Sequence, residues 1–168
     1  MKDYIFALDV DGVLTDGKFW WDANGNKVYK AFGPDDADAL KLIRPYLANI
    51  VFYTQDKKGM EISISRLSHM GFPVVEANTK ERLLDIEKFY GFNNTIYMGD
   101  SFLDAPILSL CKFGITTSDA DPYARRYANY ITSKPGGSRA VSEACFWILK
   151  EVLDVRKVRL FEDCELEL

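Results

Sequence analysis

Residues 4–17 read YIFALDVDGVLTDG, an apolar run that ends abruptly in acids and glycines. No charged residue interrupts it before Asp9, the pattern of a strand buried on both faces. Asp9 and Asp11 stand two apart at its carboxyl end, so in extended backbone their side chains face the same way. A run this short, broken by two acids and followed by no small-residue cleavage site, is not read as a signal peptide.

Outward from this strand the chain alternates between two periods. KFWWDANGNKVYKAF (18–32) places bulky residues on both sides of Asn24-Gly25, a strong hairpin signal. Helical spacing of apolar residues begins near Ala37, with Asp35 and Asp36 as candidate N-caps. NIVFYT (49–54) is a second buried strand, followed by a helix that Gly71 closes. Four further strands, at PVVEA, NTIYMGD, FGITT and YITS, are separated by helices at 79–90 (Thr79 as cap), 103–111 and 121–129. An apolar-striped helix covers about 138–153, and a charged tail, 154–168, follows. Strands spaced by helices of this length predict an α/β fold: a Rossmann-like three-layer α/β/α parallel sheet. The expected organisation is one domain over 1–153, with the hairpin inserted after strand 1 and no cap domain.

Bulk properties exclude several functions. The 168 residues are 48% hydrophobic and 27% charged with a net charge of −4, which suits one globular domain and gives no footprint for nucleic acid. No stretch approaches the roughly 18 apolar residues of a membrane span. Cys111, Cys145 and Cys164 are far apart and odd in number, so a reducing cytoplasm is expected. The single histidine, His69, precedes Gly71 at a helix end, which leaves the chemistry to carboxylates, lysine and hydroxyls.

In a parallel sheet, ligands bind beyond the carboxyl ends of the strands. There the sequence gathers Asp9 and Asp11, Thr54, then Asp100 with Asp104 close behind, while Lys80 opens the helix before them. Carboxylates alone make a hard oxygen-rich site suited to Mg²⁺. A lysine and a hydroxyl beside it can receive phosphoryl oxygens, and phosphoryl transfer needs little more than a metal, donors and an in-line nucleophile. Singly, each residue has an ordinary structural explanation; it is their arrival in order at successive strand ends that points to a site.

At these residues the chain resembles the haloacid dehalogenase superfamily of aspartate-nucleophile phosphatases. DVDGVLTDG, IVFYT, Lys80 and MGDSFLD are similar to its four motifs in order. The hairpin, the segment from Lys30 to Asp36 and ANYITSKPGGSRAVSEA resemble its cap-less subgroup, which acts on octulosonate 8-phosphate and nonulosonate 9-phosphates. The resemblance implies a phosphoric monoester hydrolase with Asp9 as nucleophile and Asp11 as general acid/base. Mg²⁺ would lie on Asp9, Asp100 and the Asp11 carbonyl, Thr54 and Lys80 would orient the phosphoryl group, and Asp104 would position water or Lys80. Arg66 matches a substrate-binding arginine. It also implies a homotetramer with Phe19, Trp20 and Trp21 at subunit interfaces, and no nucleic-acid or membrane partner. The sequence departs from the subgroup where Gln55-Asp56 replaces Gly-Arg, where FGPDDADA loses an arginine and a glycine, and where Ser138 and Ser142 replace arginines. These changes bear on the sugar acid rather than the chemistry. They also fit an alternative, a catalytically silent oligomerisation domain associated with sugar-acid activation.

Overall fold

A computed structural model describes residues 3–162 and 164–168. Its centre is a six-stranded parallel sheet of β1 (Ile5–Asp9), β4 (Asn49–Thr54), β5 (Val74–Glu76), β6 (Thr95–Met98), β7 (Phe113–Thr116) and β8 (Tyr130–Ile131), in the order β5-β4-β1-β6-β7-β8. The sheet is buried because both faces are covered, and period-two alternation assigns the faces. Phe6, Leu8, Ile50, Phe52, Ile96 and Met98 point to one core with α1 (Asp36–Ile43), α2 (Met60–Met70) and α6 (Ala140–Trp147). Ile5, Ala7, Val51, Tyr53 and Tyr97 point to the other with α3 (Thr79–Phe89), α4 (Ala105–Leu110) and α5 (Pro122–Tyr127). The expected three-layer α/β/α architecture is therefore present, and among the described residues no second domain interrupts it.

β1 is central, paired with β4 through Asp9↔Tyr53 and with β6 through Leu8↔Met98. The chain reverses direction in sheet order on the two sides of β1, so the strand ends diverge there and leave a crevice above Asp9. After β1, β2 (Thr15–Trp21) and β3 (Lys27–Phe32) form the antiparallel hairpin that Asn24-Gly25 signals, separate from the main sheet. Trp20 and Trp21 are about half exposed on it, at 47% and 50%.

Two local expectations differ from the structure. The cap of α3 is Asn78, whose side chain accepts from the Glu81 amide while Glu81 reaches back to the Asn78 amide. Thr79 is the first helical residue, because Glu at the third helical position completes a capping box only with Asn78. The segment read as a charged tail contains a second antiparallel hairpin, β9 (Lys157–Phe161) and β10 (Cys164–Glu167). Val158 of β9 is 1% exposed within the α1–α2–α6 core. Val158, with Val155 and Leu168 packed beside it on the same core, docks a segment that composition alone reads as solvated.

Candidate active site

The carboxyl ends of β1, β4 and β6 meet at a cleft of about 230 Å³ lined by Asp9, Asp11, Phe19, Asp56, Arg82 and Leu103, among others. A larger groove of about 750 Å³, lined by α1 and α6 residues with Arg159 and Leu160, shares no residue with it. Volume therefore does not locate the chemistry here; the acids do.

Asp9 ends β1 and is 7% exposed. Its backbone strand continues one residue, with the Val10 amide donating to the Tyr53 carbonyl at 3.0 Å. The chain then turns sharply at Gly12, at φ +86°, where a Cβ would fall 2.0 Å from Asp100 Oδ2. Glycine is required there on both counts, and it lets the ends of β1 and β6 approach each other. Burial, and next the neighbouring Asp104, push the Asp9 carboxyl well above the usual range, while Arg82 works in the opposite direction. Burial and Asp104 likewise raise Asp100, to about 7.

The cation that meets Asp9 is not the one the sequence suggested. Lys80 lies exposed on the first turn of α3. Arg82, two residues on, is 5% exposed and points inward, its Nη2 2.9 Å from Asp9 Oδ1 and its Nη1 3.2 Å from Asp104 Oδ1. The reason is helical phase. Arg82 is four residues before the buried Ile86 and shares its face, whereas a residue two positions away faces elsewhere. An arginine lying in the apolar stripe of an amphipathic helix was the signal that could have found it.

Asp104 is a hub. Its Oδ1 accepts from Arg82 Nη1 and from the Tyr97 hydroxyl at 2.7 Å; its Oδ2 accepts from the Asp100 amide, the Ser101 amide and the Ser101 hydroxyl at 3.2, 3.0 and 3.1 Å. Oxygens of Asp9, Asp100 and Asp104 come within 4.8 Å of one another. With five protein donors already on it, Asp104 holds the Asp100 loop and Arg82 rather than offering a face to an ion. Asp100 is different, for its Oδ1 is buried without a hydrogen-bond partner. Such an orphaned oxygen beside the Asp9 carboxylate is the donor set of a hard cation, so Asp9, Asp100 and the turn carrying Asp11 fit Mg²⁺.

Across the cleft, Thr54 ends β4 and is fully buried. Its hydroxyl donates to Asp11 Oδ2 at 3.0 Å and accepts from the Asp56 amide at 3.0 Å. Asp11 also meets Lys30, which reaches in from β3, and Lys30 is bound in turn by Asp56. Lys27 holds the other oxygen of Asp56 at 2.5 Å, and its ammonium stacks 3.5 Å from the Phe19 ring centre. Neither lysine was singled out as a site residue, because their approach depends on how the hairpin folds back. Arg66 is not gathered here. It is exposed on α2, with its guanidinium 5.9 Å from the Phe32 ring.

The two other segments that depart from the subgroup face each other. Arg139 Nε donates to Asp35 Oδ2 at 2.5 Å, and the Ser142 amide donates to Asp36 Oδ1 at 2.8 Å. Both contacts bridge the start of α1 and the start of α6, one between side chains and one from the Ser142 backbone.

A parallel sheet with a buried Asp at the end of its central strand, a second Asp two residues on, a hydroxyl at the end of one neighbouring strand and an acid loop at the end of the other is the arrangement of the haloacid dehalogenase superfamily that the sequence resembles. The proteins this chain is similar to include phosphatases of one kind. The 3-deoxy-D-manno-octulosonate 8-phosphate phosphatase KdsC of Haemophilus influenzae is 29% identical over 147 residues, 84% of this chain and 80% of that protein. Its Escherichia coli K12 counterpart is 27% identical over 150 residues, 86% of this chain and 78% of that protein. Among solved structures, the Moraxella catarrhalis 3-deoxy-D-manno-octulosonate 8-phosphate phosphatase, crystallised with magnesium, phosphate and KDO, superposes with a TM-score of 0.77 at 26% identity, covering 92% of this chain and 90% of that one. A Legionella pneumophila hydrolase of the same superfamily gives 0.78 at 27% identity over 92% and 86%. No family model matches the chain.

Proposed function

We propose that this chain is a magnesium-dependent phosphatase of a small phosphorylated sugar acid, of the octulosonate 8-phosphate or nonulosonate 9-phosphate type, working through an aspartyl-phosphate on Asp9. The observation that carries the reading is the environment of Asp9. One oxygen is held by Arg82 at 2.9 Å, and the orphaned Asp100 Oδ1 lies on the same side of the cleft. The named relatives and the metal and ligands of the Moraxella structure support the substrate class and the cofactor.

The chemistry follows from the placement of the groups. Asp9 attacks phosphorus with the oxygen that Arg82 leaves free, forming its P–O bond as the ester P–O bond breaks. Asp11 delivers a proton to the departing alcohol and then takes one from the water that cleaves the acyl phosphate. Arg82, reaching Asp9 from α3, receives the phosphoryl oxygens in the role the sequence suggested for Lys80, with the Thr54 hydroxyl opposite. Asp104 fixes Arg82 and the Asp100 loop. Mg²⁺ held by Asp9, Asp100 and the Asp11 carbonyl would offset the repulsion between carboxylate and phosphate anions. No helix among the described residues is long and apolar enough to cross a membrane. A cytoplasmic homotetramer meeting through the half-exposed Trp20 and Trp21 completes the reading, supported by three unpaired cysteines.

The test is phosphate release with Mg²⁺ from a panel of phosphorylated sugars that includes both sugar-acid esters. Hydrolysis of one of them far above the rest, abolished in Asp9→Asn, is the expected result. Release that is negligible throughout and indifferent to Asp9→Asn would leave the silent oligomerisation domain as the better account.

A further inference from the structure

Lys30 is a lysine whose side chain has no exposed surface at all. Removing an ammonium from water costs several kcal/mol unless opposite charge and hydrogen bonds replace its hydration, and here two carboxylates and a hydroxyl surround it, with hydrogen bonds to Asp11 Oδ2 and Ser63. Lys30 Nζ lies 2.8 Å from Asp11 Oδ1, 3.1 Å from Asp11 Oδ2, 3.0 Å from Asp56 Oδ2 and 2.9 Å from the Ser63 hydroxyl. Lys27 closes the cluster on the far side of Asp56, so two cations and two carboxylates balance. Phe19, directly opposite Lys30 in the hairpin register, covers the cluster with its ring 5.6 Å from Nζ. Packing around the ammonium leaves no slack. A Cβ on Gly59 would fall 2.1 Å from Asp56 Oδ2 and 2.5 Å from Lys30 Cε.

A surface ion pair would carry nothing, but this one grips both oxygens of the residue to which the proton transfers are assigned. Apart from Lys30, the only side chain donating to the Asp11 carboxyl among the described contacts is Thr54, on Oδ2. One hydroxyl fixes a point; an ammonium on both oxygens also fixes the plane of the carboxyl. The partner that holds Lys30, Asp56, stands where the resembling subgroup has an arginine, so the Asp56 half of the arrangement belongs to the present sequence rather than to the shared motifs. We propose that Lys30 is a positioning residue for Asp11, holding its carboxyl in line with the ester oxygen, and that Asp56 is the counter-charge that keeps Lys30 in place.

This rests on the phosphatase reading, and the experiment separates the two. The Lys30→Met variant is compared with the wild type in Mg²⁺ for kcat/KM on an alkyl phosphate and on p-nitrophenyl phosphate. An alkoxide needs the Asp11 proton to leave; p-nitrophenolate does not. The expected result is a loss on the order of tenfold to a hundredfold for the alkyl ester, part of what a general acid supplies, with the aryl ester nearly unchanged. An equal loss on both esters, or none on either, overturns the proposal while an active wild type upholds the phosphatase. The alkyl ester is the sugar-acid phosphate that the panel selects, and a wild type inert toward every ester of that panel overturns the reading and the proposal together. Should Lys30→Met fail to fold, Asp56→Asn decides: it is isosteric, keeps the ammonium, and should show the same split between esters at smaller size. A uniform effect, or no effect, in that variant overturns the proposal.

Discussion

Arg82 bonds two buried carboxylates and a tyrosine hydroxyl at once. Truncating it leaves the buried Asp9 and Asp104 without their counter-charge, a class of change that costs about 3–5 kcal/mol. Arg82→Met should therefore lower the unfolding midpoint and reduce turnover on the order of a hundredfold or more, as for removal of one donor to a developing charge. Lys80→Ala, two residues away on another face of α3 and exposed, should leave the melt unchanged and turnover within about twofold, the range of ordinary surface substitutions. Steady-state kinetics and a thermal melt on the two variants check this. The acids and Thr54 were readable from the sequence because a strand end fixes their location and direction together. The basic residue was not, since a two-residue error along a helix turns the side chain to the opposite face. Lys30, Asp56 and Lys27 were less readable still, because their contacts join residues that only tertiary folding brings side by side.

At the level of elements, the junction of α1 and α6 carries a titrating group of its own. Asp36 is 1% exposed and accepts from the Ser142 amide, yet its Oδ2 has no partner. Burial, only partly offset by that amide, raises its carboxyl to about 6. The folded chain then keeps a proton that the unfolded chain releases near pH 4. The contribution of this group is thus full below about pH 4 and is lost as pH rises through about 6. Asp36→Asn keeps the acceptor and cannot ionise, so it should be more stable than the wild type at pH 7–8, on the order of 1–2 kcal/mol. The difference should close toward pH 4 in urea titrations at several pH values. The β9–β10 hairpin makes a second case. Val158 is its buried anchor, and Val158→Ala should cost about 1–3 kcal/mol by denaturant unfolding. Alternation of apolar and charged residues in so short a segment is compatible with a solvated tail. What distinguishes the hairpin is a core position that sequence alone does not reveal, whereas the buried strands of the main sheet announce themselves by length and hydrophobicity.

For the whole molecule, the acids of β1 and β6 repel one another until a cation joins them. Because burial and Asp104 raise Asp100 to about 7, Mg²⁺ must displace a proton to bind below that pH. Binding by calorimetry should release protons at pH 6, and affinity should fall as pH drops below 7. The stabilisation of the melt by excess Mg²⁺, which follows from linkage, should shrink in the same range. A melt indifferent to Mg²⁺ at every pH would count against the metal site.

The position of β1 in the middle of the sheet has a further consequence, for the chain as it is made. β1 is made before both of the strands that flank it. Its two neighbours, the arginine that meets Asp9 and the loop that Asp104 holds all lie between residues 49 and 104. Nothing local can hold β1 in the meantime, and non-local pairing of this kind is slow to form and prone to aggregation while unpaired. A nascent chain cut short before Asp104 should neither bind metal nor resist protease, so competence arrives late in synthesis and all at once. Half-finished copies would then present an apolar strand to chaperones, and never a partly working enzyme to the cell.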